Sequence, residues 1–209
     1  MIPVKVLALR YLPNVSPSLA QGLGAPAGYP SLGLLTTDCD DATYIALDAA
    51  TKAAEVEVAY GRSFYAGAAN ASTPHAGEVI GILAGATPGA VKSGMEAALS
   101  ALTRTGFEET KGVPYLAHTI ASVGNFLAKE AGVNPGSAIA YLIAPPLEGM
   151  YALDAALKAA DVKLCKLYMP PTETNFGGAL LSGTQSACAA ACEAFAQAVA
   201  AVAAQPIEH

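Results

Sequence analysis

The chain has 209 residues and a formal net charge of −6, and 53% of its residues are hydrophobic while only 13% are charged. Globular domains usually carry about 25% charged residues, so contacts with other protein chains are expected to cover part of this surface. The acidic balance and the lack of a Lys/Arg cluster argue against a nucleic-acid partner. No uninterrupted apolar run reaches the ~18 residues of a transmembrane span.

The N-terminal residues, 1–7, form an apolar, strand-like run without the charged region and cleavage site of a secretory signal. We therefore expect a cytoplasmic protein. Its cysteines show neither a disulfide framework nor the four-ligand spacing of a zinc site, so they are expected to be reduced and buried. They are Cys39, Cys165, Cys188 and Cys192.

A helix-to-strand segment of the first half of the chain recurs in the second half. Residues 46–56 read Ala-Leu-Asp-Ala-Ala-Thr-Lys-Ala-Ala-Glu-Val, and residues 152–162 read Ala-Leu-Asp-Ala-Ala-Leu-Lys-Ala-Ala-Asp-Val. Without a gap, the match extends back to Ser31 and Ser137, where a short apolar run precedes each helix. This self-similarity indicates a duplicated unit in which a strand leads into a helix.

Each half continues with the same kinds of element. Residues 77–83 and 177–181 are apolar and strand-like, and they lead into Ala-rich helices at 88–102 and 185–202. The chain is therefore predicted to be of the α/β (α+β) class, with two small sheets flanked by helices. Residues 106–112 are predicted to be a linker, which gives a first domain at 1–110 and a second at 111–209.

Both copies of the repeated segment resemble the helix-to-strand signature of the bacterial microcompartment shell domain. Longer stretches, such as Asp-Cys-Asp-Asp-Ala-Thr-Tyr at 38–44 and Pro-Pro-Thr-Glu-Thr-Asn at 170–175, resemble the ethanolamine-utilisation type L (EutL) shell proteins. The resemblance covers nearly the whole chain. It implies two circularly permuted shell domains per chain, a homotrimeric pseudo-hexamer, and edge-to-edge tiling with other shell proteins into a sheet.

Lys52 and Lys158 occupy the same position in the two copies. The resemblance implies that both lie at the edge of the pseudo-hexamer and contact neighbouring oligomers in the sheet. The alternative is that they are ordinary solvated lysines on a helix surface.

An acidic cluster, Asp38, Asp40 and Asp41, follows the first strand and has no counterpart in the second copy. Such carboxylates can cap the next helix, bind a hard cation or attract a protonated amine. The resemblance implies that Asp41 and Glu78 line a small pore that accepts the ammonium group of ethanolamine. Tyr65 would add an aromatic wall or a hydroxyl contact to this pore.

Two loops, at 67–77 and 170–178, are rich in Gly, Ala, Asn, Thr and Pro, which suits irregular backbone. The resemblance implies that these loops meet near the threefold axis and gate a larger central pore. The alternative is two ordered surface turns. The candidate gate residues are Asn70, Ser72, Thr73, His75, Thr174, Asn175 and Phe176.

No nucleophile with a base, metal constellation or phosphate-binding loop is recognisable, so we expect neither catalysis nor a cofactor. The resemblance implies a structural shell subunit that controls the passage of small molecules. One alternative is a soluble oligomer that senses a small molecule. A second is a metal-dependent hydrolase built on the acidic cluster and Glu78.

Overall fold

The computed structural model describes residues 1–64, 78–170, 172 and 174–207. The chain forms two compact units. The N-terminal unit comprises Pro3–Gly106 with Gly124–Leu127, and the C-terminal unit comprises Met1–Ile2, Phe107–Val123 and the residues from Ala128 onward. Because the units exchange short segments, neither one is continuous in sequence. The division into domains at 1–110 and 111–209 stays a prediction.

The N-terminal unit is an antiparallel sheet with two long helices that pack on each other and on its central strands. Its strands have the order β1-β2-β4-β3. In chain order, the elements are β1 (Val6–Leu12), α1 (Pro17–Gly22), β2 (Ser31–Thr37), α2 (Asp40–Ala53), β3 (Val56–Phe64), β4 (Glu78–Gly85) and α3 (Pro88–Leu102). Leu35 of β2, Leu47 of α2, Leu83 of β4 and Met95 of α3 are fully buried in this unit.

The C-terminal unit repeats this arrangement and adds one edge strand, giving the order β5-β6-β7-β9-β8. In chain order, the elements are β5 (Glu108–Thr110), β6 (Val113–Ile120), α4 (Asn125–Ala131), β7 (Ala138–Ala144), α5 (Pro146–Ala159), β8 (Val162–Tyr168), β9 (Gly177–Gly183) and α6 (Gln185–Ala204). The core of this unit forms where α5 and α6 pack on the sheet, around Leu142, Ala152, Leu181 and Phe195.

The predicted α/β fold class and internal repeat are confirmed, down to the irregularities of the strands. The register of β3 shifts between Val58 and Tyr60, and that of β8 shifts between Leu164 and Lys166. One detail of the repeat was wrong. The ungapped match of the two copies makes Ser137 the counterpart of Ser31. In the structure, Gly85 of β4 pairs with Ser31, but the equivalent glycine of β9, Gly183, pairs with Ala138 and not with Ser137. The connection from β7 to α5 is one residue shorter than that from β2 to α2.

The stretch predicted as a linker, 106–112, contains strand β5 and the turn of the β-hairpin that β5 forms with β6. Thr110 pairs with Val113 across the hairpin. Lys111 and Gly112 form the turn with φ values of 50° and 81°. Two consecutive residues with positive φ match the right-handed twist of the strands in a two-residue hairpin.

One helix of the described residues, α6, is long and apolar enough to cross a membrane by length and composition. The interior helix of a folded domain meets the same criteria. Cys188, Phe195 and Val199 of α6 are fully buried in the core of the C-terminal unit. α6 is therefore a helix of this core.

Candidate pore and assembly sites

The structure brings the acidic cluster and Glu78 to the same end of the N-terminal sheet. Thr37, the last residue of β2, pairs with Val79 of β4. In antiparallel strands, the next register position therefore places Asp38 beside Glu78. Asp40 and Asp41 begin α2 directly afterwards. All four carboxyl groups belong to buried residues.

Backbone N–H groups hold two of these carboxylates. The Lys5 N–H donates to Oδ1 of Asp38 at 2.7 Å, and the Asp41 N–H donates to Oδ1 of Asp40 at 2.9 Å. Asp40, the first residue of α2, thus satisfies a donor in the first turn, whereas the N-cap residue Cys39 makes no side-chain cap bond. The positive end of the helix dipole also favours the ionised form of both first-turn carboxylates.

Glu78 differs from the other carboxylates of the cluster. Among the residues that the structure describes, its buried Oε1 atom has no hydrogen-bond partner. Nearly all buried polar side-chain atoms in folded proteins have a partner. The acceptor at Glu78 is therefore available to a donor from outside the described part of the chain.

Two further titratable groups at this end of the sheet, the Cys39 thiol and the Tyr44 hydroxyl, are held in their neutral forms. Burial raises the pKa of the Cys39 thiol well above its usual value, and the neighbouring Asp41 carboxylate raises it further. Burial also raises the pKa of Tyr44, which the hydrogen bond with Ser63 only partly offsets. Neither Cys39 nor Tyr44 therefore adds negative charge at this end of the sheet.

The predicted gate and pore residues of the first loop lie outside the residues that the structure describes. They are Tyr65, Asn70, Ser72, Thr73 and His75. Their roles stay predictions, as does the joint role of Asp41 and Glu78 in a pore.

The gate candidates of the second loop, Thr174, Asn175 and Phe176, are described and lie in a short turn. The Asn175 N–H donates to the Thr172 carbonyl at 3.2 Å, and the Thr172 hydroxyl donates to the Phe176 carbonyl at 2.8 Å. The Phe176 ring packs edge-on against the buried Phe107 ring, with centroids 5.9 Å apart. Phe176 is therefore held at the base of the loop.

The two predicted tiling lysines each face an aspartate one turn earlier on the same helix. Nζ of Lys52 lies 3.4 Å from Asp48, and Nζ of Lys158 lies 2.6 Å from Asp154. The side chain of Lys52 is 36% exposed, whereas that of Lys158 is 75% exposed. Equivalent lysines therefore have different access to a neighbouring molecule.

Comparison with known proteins identifies the family. A model of the BMC domain matches residues 31–115, a span that begins at β2. The bacterial microcompartment shell protein EutL of Clostridium perfringens (strain 13 / Type A) is 56% identical over 99% of this chain and 97% of its own length. The chain belongs to the EutL family of bacterial microcompartment shell proteins.

Two further relatives support this membership. The EutL shell protein of Escherichia coli (strain K12) is 45% identical over 100% of this chain and 97% of its own length. The crystal structure of EutL from Leptotrichia buccalis C-1013-b superposes with a TM-score of 0.93, at 56% identity, and the match covers 100% of this chain and 98% of that one.

Membership of the EutL family makes this chain a structural subunit of a microcompartment shell, which assembles with other shell proteins. Its location is accordingly the shell of a microcompartment in the cytoplasm. The predicted family, structural role and location are confirmed.

Sequence reasoning assigned no role to Asp48, which the structure shows to be a central polar contact of the N-terminal unit. The Gly124 N–H donates to its Oδ2 atom at 2.7 Å, and the Leu127 N–H donates to Oδ1 at 2.9 Å. Asp48 is fully buried. The available signal was the aspartate shared by the two copies of the repeat, Asp48 and Asp154, but the residues around the two aspartates are too alike to show which one is buried.

The described residues contain no group of three or more His, Cys, Asp or Glu side chains arranged to hold a metal ion. The acidic cluster is thus not assembled as the ligand set that the hydrolase alternative requires. All four cysteines are free thiols, as predicted. Cys165 is only partly buried, and it lies at the register shift of β8 between Leu164 and Lys166, whereas the other three cysteines are buried.

Proposed function

We propose that three copies of this shell subunit form a pseudo-hexamer that acts as a selective wall rather than as an enzyme. Its small pores, formed at Asp41 and Glu78, admit a protonated amine such as ethanolamine. The loops at 67–77 and 170–178 gate a larger central pore, and Lys52 and Lys158 lie at the tiling edge. The subunit needs no cofactor for this role.

The observation that carries the pore proposal is the buried Oε1 atom of Glu78, which lacks a hydrogen-bond partner among the described residues. Burying such an acceptor costs free energy unless a donor reaches it. An alkylammonium group supplies N–H donors and a positive charge at once. A cluster of buried carboxylates in a narrow passage favours such a cation and repels anions.

Amine binding tests this proposal directly. We expect the double variant Asp41→Asn/Glu78→Gln to bind ethanolamine at least about tenfold more weakly, because a hydrogen bond to a charged group contributes about 1.5–3 kcal/mol. Isothermal titration calorimetry of the assembled protein measures this change. The uncharged isostere 1-propanol should show no binding to the unmodified protein.

The matched control for amine binding is Asp161→Asn, which removes one carboxylate from an exposed position after α5. This variant should bind ethanolamine as the unmodified protein does. Equal affinities of the double variant and the unmodified protein would contradict the pore assignment.

The tiling proposal predicts that Lys52→Ala/Lys158→Ala forms discrete oligomers but no sheets. Because Lys158 is the more exposed of the two, its single replacement should disrupt the sheets more than that of Lys52. Negative-stain electron microscopy over a concentration series measures sheet formation, and sedimentation gives the oligomer mass.

The control for tiling is Lys92→Ala, which removes from α3 a lysine about as exposed as Lys158, together with its pair to Glu96. Sheets formed by the double Lys variant would overturn the tiling assignment. Trimers of the unmodified protein that bind the amine but never tile would instead favour the soluble sensing oligomer.

A further inference from the structure

Two buried threonine hydroxyls lie at the turn between β2 and α2. Thr37 is the last residue of β2, and Thr43 lies in the first turn of α2. Both residues are fully buried, and their Oγ1 atoms are 2.7 Å apart. The three aspartates of the acidic cluster all lie between them in sequence. This pair of hydroxyls, here called the hydroxyl clamp, therefore spans the turn that carries the acidic cluster.

The hydroxyl clamp holds both backbone polar groups of Cys39. The Cys39 N–H donates to Oγ1 of Thr37 at 3.1 Å. The Cys39 carbonyl oxygen lies 2.8 Å from Oγ1 of Thr43 and 3.0 Å from Oγ1 of Thr37. Since each hydroxyl has one proton, one threonine donates to the other, and the second donates to the carbonyl. Both protons are used in either arrangement, so the clamp needs no further partner.

The conformation of Cys39 determines how the acidic residues leave the sheet. Cys39 is the N-cap residue of α2, and its side chain makes no capping hydrogen bond. Its neighbours in sequence are Asp38, on the strand side, and Asp40, the first residue of the helix. A polar N-cap side chain commonly fixes such a junction. Here the junction is fixed by the hydroxyls of Thr37 and Thr43.

Holding this turn in one shape requires favourable contacts, because its carboxylates repel one another. Asp38, Asp40 and Asp41 are 9%, 5% and 7% exposed, so little water screens their charges. Glu78 is also buried at this end of the sheet. Like charges at close range favour conformations that separate them. Hydrogen bonds to the backbone of the turn oppose this separation.

The C-terminal unit has the same turn without the acidic cluster. The Thr43 N–H donates to the Cys39 carbonyl at 3.2 Å, and in the C-terminal unit the Gly149 N–H donates to the Pro145 carbonyl at 2.7 Å. Gly149 is therefore the counterpart of Thr43. A Cβ atom at Gly149 would lie 2.9 Å from the Gly177 carbonyl oxygen, so no side chain fits there without a shift of the backbone. The strand before this turn, β7, ends in alanine where β2 ends in threonine. The hydroxyl clamp thus belongs to the copy that carries the acidic cluster.

We propose that Thr37 and Thr43 are positioning residues of the amine pore. Their hydroxyls hold the turn in the shape that presents Asp41 and Glu78 to the ammonium group, although neither hydroxyl touches the amine. This assignment rests on the pore proposed above. It makes amine affinity depend on two uncharged residues in the interior of the N-terminal unit. Valine separates the hydroxyl from the side-chain volume, because it has nearly the same shape as threonine but forms no hydrogen bond.

The two threonines are expected to contribute unequally to amine binding. Without the Thr43 hydroxyl, Thr37 still accepts the Cys39 N–H and can donate to the Cys39 carbonyl. Without the Thr37 hydroxyl, the Cys39 N–H loses the acceptor that it has now. A buried group left without its partner costs more free energy than the loss of both partners together. Thr37→Val should therefore weaken amine binding more than Thr43→Val.

Isothermal titration calorimetry with ethanolamine tests this role on the assembled protein. We expect the dissociation constant to rise about tenfold for Thr37→Val and about threefold for Thr43→Val. Thr37→Ser and Thr43→Ser keep a hydroxyl and should bind within about twofold of the unmodified protein. The matched control is Thr119→Val, which removes from the C-terminal unit a hydroxyl that donates to Sγ of Cys192 at 3.3 Å. This control should bind ethanolamine as the unmodified protein does.

Urea denaturation and sedimentation of the same variants distinguish positioning from a loss of folding. Weaker binding by a folded and assembled Thr37→Val, restored in Thr37→Ser, supports the positioning role. Equal affinities of Thr37→Val and the unmodified protein, or equally weak binding by Thr37→Ser, would overturn it, and weaker binding by Asp41→Asn/Glu78→Gln would then leave the pore in place. If Thr37→Val does not fold, the comparison of Thr43→Val with Thr43→Ser decides in the same way. An unmodified protein that binds no ethanolamine would overturn both the pore and the positioning role.

Discussion

Replacing Asp48 with alanine is expected to destabilise the protein by about 3–5 kcal/mol, the usual cost of removing one partner from a buried charged contact. The substitution leaves the Gly124 and Leu127 N–H groups buried without the acceptor that they have now, and it removes the Asp48 carboxylate that lies 3.4 Å from Nζ of Lys52. Asp48→Asn should be nearly as harmful. An amide has one acceptor oxygen where the carboxylate uses two, and its NH₂ group would face a second donor.

Urea denaturation at a fixed protein concentration measures this effect, and fixing the concentration matters because assembly adds to the apparent stability. Hydrogen exchange at the Gly124 and Leu127 amides should become faster in the variant. The control is Glu193→Ala, which removes an exposed acid whose side chain accepts a hydrogen bond from Gln197 on the same helix. A decrease in the free energy of unfolding of less than about 1 kcal/mol for Asp48→Ala would show that water replaces the carboxylate at little cost.

Replacing Gly178 with alanine is expected to cost about 3 kcal/mol or more, at or above the upper end of the range for overpacked sites. Gly178 lies on β9 opposite Ile143 of β7. A Cβ atom there would overlap the carbonyl oxygen of Leu142 and lie 2.9 Å from the Ile143 Cα atom. Both are backbone atoms of a central strand, so they cannot move aside as a flexible side chain could.

The loss of stability in Gly178→Ala is measured as a shift in the midpoint of thermal or urea unfolding. Gly89→Ala in the first turn of α3 is the control, because the nearest atom to its Cβ position is 3.9 Å away. This control should be neutral or slightly stabilising, since alanine restricts the unfolded chain more than glycine does. Equal midpoints for the two variants would contradict the proposed steric conflict between β7 and β9.

Several elements could be predicted from local sequence alone because their signals are local. The helix predicted at 88–102 is α3, Pro88–Leu102, whose start is marked by the Thr87 side chain and by a proline in the first turn. The start of α6 at Gln185 is likewise marked by the Thr184 cap. The repeat itself was visible because two copies of an Ala-rich helix preserve their order of residues. These patterns need no partner elsewhere in the chain.

Features that depend on pairing between distant residues were not predictable in the same way. The hairpin at Lys111 and Gly112 was taken for a linker because its short strands carry Glu and Thr rather than an apolar pattern. The one-residue shift between the copies follows from sheet register, which only the pairing of β2 with β4 and of β7 with β9 shows. Likewise, the acidic residues were visible as a cluster, but only the pairing of Thr37 with Val79 shows that Glu78 lies at the same end of the sheet.

The sequence by itself determined the duplicated α/β architecture, the family and the positions of the acidic cluster, because each is written in residue order. It could not distinguish Asp48 from Asp154, which both stand in the same five residues, Ala-Leu-Asp-Ala-Ala. Only the tertiary structure separated them. The Gly124–Leu127 segment packs on α2 and encloses Asp48, whereas the side chain of Asp154 on α5 is 64% exposed. Burial is decided by which segment reaches a helix face, and that depends on contacts between residues about 75 positions apart.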